Sequence, residues 1–299
     1  MKKSVTVALY GGLGNQLFQY ATGLAMAKHY GASLVLDLSW FDSVHGLQNT
    51  TIRNFALRPF AIQAELKTGE FPALSEQNIF KRLVNKILRR IGLDVLQGKI
   101  FTEKKFRFDP EIFHLNCPIW LNGYWQSPKY FENLGHDIHS AIGTPQNLSA
   151  ESAAMLEKIS AAQSICAHVR RGDYVTNQQA SETHGLCNLD YYKQGIHLVS
   201  ADLSNPHCFV FSDDPQWVRE NFDVGIPITV VDINDADNAH QDLWLMAACR
   251  RFVIANSSLS WWGAWLGRNP CKKVVAPKQW FMGDARDTRD LIPDGWIRL

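Results

Sequence analysis

The chain opens with two short apolar runs, Val5–Tyr10 and Ser33–Leu38. Between them lie a glycine loop, Gly11-Gly12-Leu13-Gly14-Asn15-Gln16, and an apolar-rich stretch from Leu17 to Tyr30 that Gly31 ends. This pattern predicts strand, glycine loop, helix and strand, the start of a βαβ unit. From Phe41 to Pro145 the periodicity is less regular, with many turn residues and the aromatic segment Ile119-Trp120-Leu121-Asn122-Gly123-Tyr124-Trp125. It reads as the remainder of an N-terminal α/β domain with insertions.

The second half is more regular. Apolar runs at Ser164–Val169, Cys208–Ser212, Ile228–Val231, Phe252–Ala255 and Lys273–Ala276 alternate with helical segments at Asp190–Val199, Pro215–Phe222, Ala239–Arg250 and Ser258–Leu266. Strands separated by helices predict a parallel sheet covered on both faces. Ser149–Ser160 reads as a helix leading in and Gly143–Asn147 as a linker. The predicted division is therefore 1–145 and 146–299.

Composition narrows the function classes. With 30 Lys+Arg against 29 Asp+Glu among 299 residues, the net charge of +1 argues against a general nucleic-acid binder. Hydrophobic residues at 46% and charged ones at 20% fit a globular fold with a sizeable core. The six cysteines contain no C-x-x-C pair and several sit inside apolar runs, which reads as buried thiols in a reducing compartment. No stretch approaches the ~18 uninterrupted apolar residues of a spanning helix, and the N-terminus lacks a signal-like apolar region, so the expected location is cytoplasmic. In Phe80–Ile91, apolar positions at helical spacing alternate with Lys81, Arg82, Lys86, Arg89 and Arg90. This basic amphipathic helix fits either a solvated surface face or peripheral contact with an anionic membrane.

In an open parallel sheet, ligands bind beyond the carboxyl ends of the strands. One such end carries His168-Val169-Arg170-Arg171-Gly172-Asp173, where strand alternation puts His168 and Arg170 on one face. Adjacent arginines after an apolar strand suit either a bound phosphate or an ion pair with Asp173 or Asp213. The next end, Ser212-Asp213-Asp214-Pro215, suits an N-cap at Asp214, with Asp213 left to accept hydrogen bonds from a base or ribose. A fourth end, Asn256-Ser257-Ser258-Leu259-Ser260, has more hydroxyls than one helix cap needs and reads as a phosphate cradle. The competing reading uses the N-terminal loop: Gly12-Leu13-Gly14 with Asp37 resembles a dinucleotide fingerprint, although Leu17 replaces its third glycine.

Taken together, Gly11–Tyr20, His168–Val175, Phe211–Asp214 and Asn256–Gly263 resemble glycosyltransferase family 11, the α-1,2-fucosyltransferases. The resemblance runs in order from the first strand to the last helix. It implies a GT-B-like α/β fold of two Rossmann-like domains facing a central cleft. It also implies GDP-β-L-fucose as donor, inversion without a metal or cofactor, and a galactose-terminated glycan as acceptor at its 2-hydroxyl. Carried over, Arg170 and Arg171 meet the donor diphosphate and His168 lies near the nucleoside. Ser257 and Ser258 hold the β-phosphate, Asp213 reads guanine or ribose, and Gly14, Asn15 and Gln16 close on the diphosphate. The motifs leave the base open. Asp173 is the first candidate, as base or as a partner of the arginines, with Glu182, His184 and Asp37 behind it. A dinucleotide-dependent oxidoreductase and a non-catalytic nucleotide- or sugar-binding protein are the alternatives. Trp261, Trp262 and Trp265 are spaced to pack in a core, and Trp125 is placed to meet a sugar ring.

Overall fold

The computed structural model describes residues 3–43, 53–69, 99–172, 185–283 and 286–299. The basic segment 80–91 and the candidates Asp173, Glu182 and His184 lie outside these residues.

The chain divides into two units. The first, residues 1–55 and 62–134, carries a five-stranded sheet in the order β3-β2-β1-β5-β4. Its strands are β1 (Ser4–Ala8), β2 (Ser33–Asp37), β3 (Glu65–Lys67), β4 (Lys99–Thr102) and β5 (Ile119–Asn122), and every pairing is parallel. Helix α1 (Leu13–Tyr30) follows the glycine loop and ends where Gly31 takes the left-handed conformation, φ 57°. The helix lies close on the sheet at Gly23, where an added Cβ would come within 2.6 Å of Val7 Cγ2 and 2.9 Å of Leu34 Cδ1. In a dinucleotide fingerprint the third glycine serves this approach. Here the wholly buried Leu17 occupies that position and the close contact occurs further along the helix. A short helix α2 (Ser39–Ser43) follows β2, and the Asp37 carboxylate accepts the Ser39 N–H at 2.9 Å.

The second unit, residues 56–61 and 135–299, holds a six-stranded sheet in the order β11-β10-β9-β6-β7-β8. Its strands are β6 (Gln163–Val169), β7 (Pro206–Ser212), β8 (Ile228–Val231), β9 (Arg251–Val253), β10 (Lys273–Ala276) and β11 (Ile297–Arg298), again all parallel. Among the described residues, six helices accompany them: α3 (Gly135–Ile142), α4 (Ala150–Ala161), α5 (Leu189–Ser200), α6 (Pro215–Asn221), α7 (Ala239–Ala248) and α8 (Ser258–Leu266).

Contacts divide the units at 134/135 rather than at 145, and α3 meets the second unit's helices α7 and α8. Trp244 Nε1 donates to the Ile142 carbonyl at 2.8 Å, and His139 stacks on Trp265 at 4.9 Å. The short segment 56–61 joins the same unit through Phe60, whose ring meets Trp244 edge-on at 5.5 Å.

Strand alternation explains the second core. Ile165, Ala167 and Val169 pack with Val210, Val253, Val275 and the α5 residues Tyr192, Ile196 and Val199. Cys166 and His168 turn to the opposite face. Trp261 and Trp262 are fully buried, and Trp261 Nε1 donates to the Leu291 carbonyl at 2.9 Å. All six cysteines are unbridged, with Cys166, Cys208 and Cys249 buried. Among the described residues no helix is long and apolar enough to cross a membrane.

Candidate active site

The strand order of the second sheet reverses at β6, which lies between β7 and β9. In doubly wound sheets the ligand crevice opens at that point, beyond the carboxyl ends. The β6–β7 register pairs Val169 with Ser212 and so brings the next residues, Arg170 and Asp213, level with each other. Arg170 Nη1 lies 2.9 Å from Asp213 Oδ2, each side chain about a quarter exposed. The other Asp213 oxygen accepts the Arg171 N–H at 2.8 Å. Gly172 completes the turn, where an added Cβ would fall 2.6 Å from Asp213 Oδ2.

Arg171 turns elsewhere. Its Nε donates to Asp214 Oδ2 at 3.3 Å and its guanidinium lies 3.9 Å from the centre of the Trp217 ring. Asp214 also caps α6 by accepting the Trp217 N–H at 3.1 Å, as its position before Pro215 leads one to expect. The arginine pair is thus split: Arg170 faces Asp213, while Arg171 braces the start of α6.

Continuing the β6–β9 register, in which Ala167 opposes Val253, brings the Asn256-Ser257 turn level with Arg170. Ser257 is the N-cap of α8, yet its side chain makes no capping hydrogen bond. Asn256 is buried and fixes the turn, donating to the Trp280 carbonyl at 3.2 Å. Ser260 hydroxyl donates back to the Ser257 carbonyl at 3.2 Å, which leaves Ser257 and Ser258 as the hydroxyls at the mouth of the helix. A helix start without a side-chain cap offers backbone N–H groups and positive potential to an anion.

His168 is buried just below this edge. Its carbonyl accepts the Tyr192 hydroxyl at 3.0 Å, and its Nδ1 has no hydrogen-bond partner among the described residues. Burial, with Arg170 adding to it, lowers its pKa to about 4 against the opposing pull of Asp213. The imidazole is therefore neutral at pH 7.

The first sheet reverses order at β1, between β2 and β5. There Gly12 is the N-cap of α1 and Gly14 is buried in the helix's first turn. Asn15 Oδ1 accepts the Gln126 amide at 2.7 Å. Gln16 is wholly buried and donates to the carbonyls of Gly11 and Asn54, both at 2.9 Å. Its visible contribution is to the shape of the loop. Trp125 corrects the sequence reading: it is fully buried, stacked on Phe101 at 6.0 Å and edge-on to Tyr130 at 5.6 Å. Its backbone takes φ 56°, and the neighbouring Tyr124 is exposed. The burial of Trp125 continues the alternation of Ile119 and Leu121, which leaves Tyr124 on the exposed side.

Fold and site together define an α/β architecture of two parallel sheets with polar groups gathered at the strand ends, and comparison with known proteins gives its family. The glycosyl transferase family 11 model matches residues 1–298. An Escherichia coli alpha-1,2-colitosyltransferase is 32% identical, covering 99% of both chains. The E. coli O-antigen biosynthesis glycosyltransferase WbnK is 33% identical over 97% of this chain and 99% of its own. A galactoside alpha-(1,2)-fucosyltransferase 2 from Oryctolagus cuniculus is 24% identical over 87% of this chain and 66% of its own. Among solved structures, NodZ alpha-1,6-fucosyltransferase soaked with GDP-fucose superposes with TM-score 0.51 at 17% identity, covering 89% of this chain and 93% of NodZ. A mutant of Arabidopsis thaliana FUT1 in complex with GDP gives TM-score 0.52 at 12% identity, covering 98% and 72%. These two share the GT-B-like fold. The chain belongs to glycosyltransferase family 11, and it is a glycosyltransferase.

Proposed function

We propose that this glycosyltransferase moves L-fucose from GDP-β-L-fucose to the 2-hydroxyl of a galactose in an oligosaccharide, inverting the anomeric centre without a metal. The observation that carries this reading is the Arg170–Asp213 pair at the reversal point of the second sheet, level with the uncapped start of α8. Breaking the fucosyl–phosphate bond puts negative charge on the departing GDP. A guanidinium and oriented N–H groups placed beforehand lower that barrier without reorganising. In this reading Arg170 and the Ser257–Ser258 turn take the diphosphate, and Asp213 aligns Arg170 or accepts from the nucleoside. His168 stays neutral below them. Asp173, next to Gly172 in sequence, is our proposed carboxylate for accepting the proton of the attacking hydroxyl. The fold neighbours add support, since NodZ was solved soaked with GDP-fucose and the FUT1 mutant in complex with GDP.

The colitosyltransferase relative favours a second donor, because colitose is fucose without its 3-hydroxyl and places the same demand on the diphosphate site. The basic spacing of 80–91 supports work at the cytoplasmic face of a membrane. The test is incubation with GDP-fucose or GDP-colitose and a panel of galactosyl disaccharides, followed by linkage analysis. An α-1,2-fucosyl product supports the main reading, a colitosyl product alone selects the second, and no transfer from either donor refutes both.

A further inference from the structure

At the reversal point of the first sheet, three devices converge on two tyrosines. Gln19 is wholly buried in α1, and its amide spans the ends of two strands: its oxygen accepts the Tyr10 N–H at 3.1 Å and its nitrogen donates to the Gly123 carbonyl at 3.3 Å. The Glu103 carboxylate, just past β4, accepts the Tyr124 N–H at 2.8 Å and the Trp125 N–H at 3.2 Å. Glu103 also lies so close over Gly123 that a Cβ there would sit 2.5 Å from its own Cβ. The third device is Trp125 itself, held at φ 56°, a backbone conformation that bulky side chains rarely adopt. Strain of this kind persists only where surrounding contacts impose it, and it gathers at ligand sites.

The outcome of all three is a fixed aromatic pair. Tyr124 is 37% exposed, and its ring meets Tyr10 edge-on at 4.9 Å and 77°. Trp40 lies 6.4 Å beyond Tyr10. Burial, with Tyr124 and Glu103 adding to it, raises the Tyr10 pKa, so its hydroxyl stays protonated and able to donate. An immobilised aromatic face with hydroxyls at its edge suits the C–H face and hydroxyl rim of a pyranose. Fixed cations, which a diphosphate needs, occur instead at the second sheet's reversal point.

Resting on the transferase reading above, we propose that Tyr124 and Tyr10 seat a pyranose ring of the acceptor saccharide, with Gln19 and Glu103 as positioning residues. Saturation-transfer NMR with a galactosyl disaccharide reports contact with the acceptor alone, and calorimetry with GDP reports the donor site separately. In Tyr124→Ala the saccharide signal and the acceptor KM should weaken about tenfold, with GDP affinity unchanged and Tyr124→Phe retaining most of the binding. Unchanged saccharide contact in a folded Tyr124→Ala overturns the seat. A wild-type protein that binds the saccharide but not GDP would keep the seat and sink the donor reading instead.

Discussion

At the end of β6 an arginine meets an aspartate at 2.9 Å, whereas the turn after β1 is built from glycine, amide and tyrosine side chains. Both turns occupy the same place in their sheets, where strand order reverses beside a helix start without a side-chain cap. The difference lies in what is fixed there. The second unit fixes charge, as a departing diphosphate requires. The first fixes shape and aromatic faces, as a neutral sugar requires. A net charge of +1 is compatible with both, because one diphosphate needs only a few local positive groups.

The contrast can be broken most sharply at Arg170. Arg170→Ala should raise the transfer barrier by about 2–4 kcal/mol, measured as kcat/KM for the donor. Arg170→Lys should recover only part of this, because an ammonium lacks the planar fork. In the first unit, Gln16→Ala should instead act on stability. It removes two buried hydrogen bonds and strands the Gly11 and Asn54 carbonyls, at a cost of roughly 1–3 kcal/mol in urea unfolding. A Gln16→Ala protein of normal stability that failed to bind GDP would show that the loop contacts the donor directly.

The pH dependence of stability should belong mainly to the second unit. His168 and His139 are both lowered from 6.5 to about 4, chiefly by burial. Between those values the unfolded chain binds protons that the folded chain refuses, so stability is full above about pH 6.5 and falls as pH drops toward 4. Asp242 opposes this, since burial raises it to about 6 and the folded state binds its proton more readily. His168→Gln should therefore flatten the acid loss, by on the order of 1–3 kcal/mol between pH 7 and 5 in denaturant unfolding. The smallest effect should come from Gly172→Ala. Its Cβ would push Asp213 away from Arg170 and weaken GDP binding by about 1 kcal/mol while the melting temperature hardly moves.

Much of the second unit is legible in the sequence because its central strands are buried on both faces and read as continuous apolar runs. The alternation that puts His168 opposite Val169 holds, and so does the cap at Asp214. The ion pair of Arg170 with Asp213, open in the sequence beside a bound phosphate or Asp173, follows from strand register. The first unit is less legible for physical reasons. Strand β3, Glu65–Lys67, is three exposed residues at a sheet edge and carries no apolar signal. Gln16 and Gln19 are polar residues inside a helix, which a hydrophobic pattern assigns to the surface. Their burial depends on carbonyls at Asn54 and Gly123, distant in sequence. The left-handed backbone at Trp125 is likewise announced by no periodicity.

On the proposed function, the reversal point of the second sheet holds the donor's diphosphate through Arg170. Calorimetric titration of GDP into the wild type and Arg170→Ala tests it most directly. Saturable binding to the wild type and a loss of about 30-fold or more in the variant are expected. Equal affinity in a folded Arg170→Ala protein would contradict it.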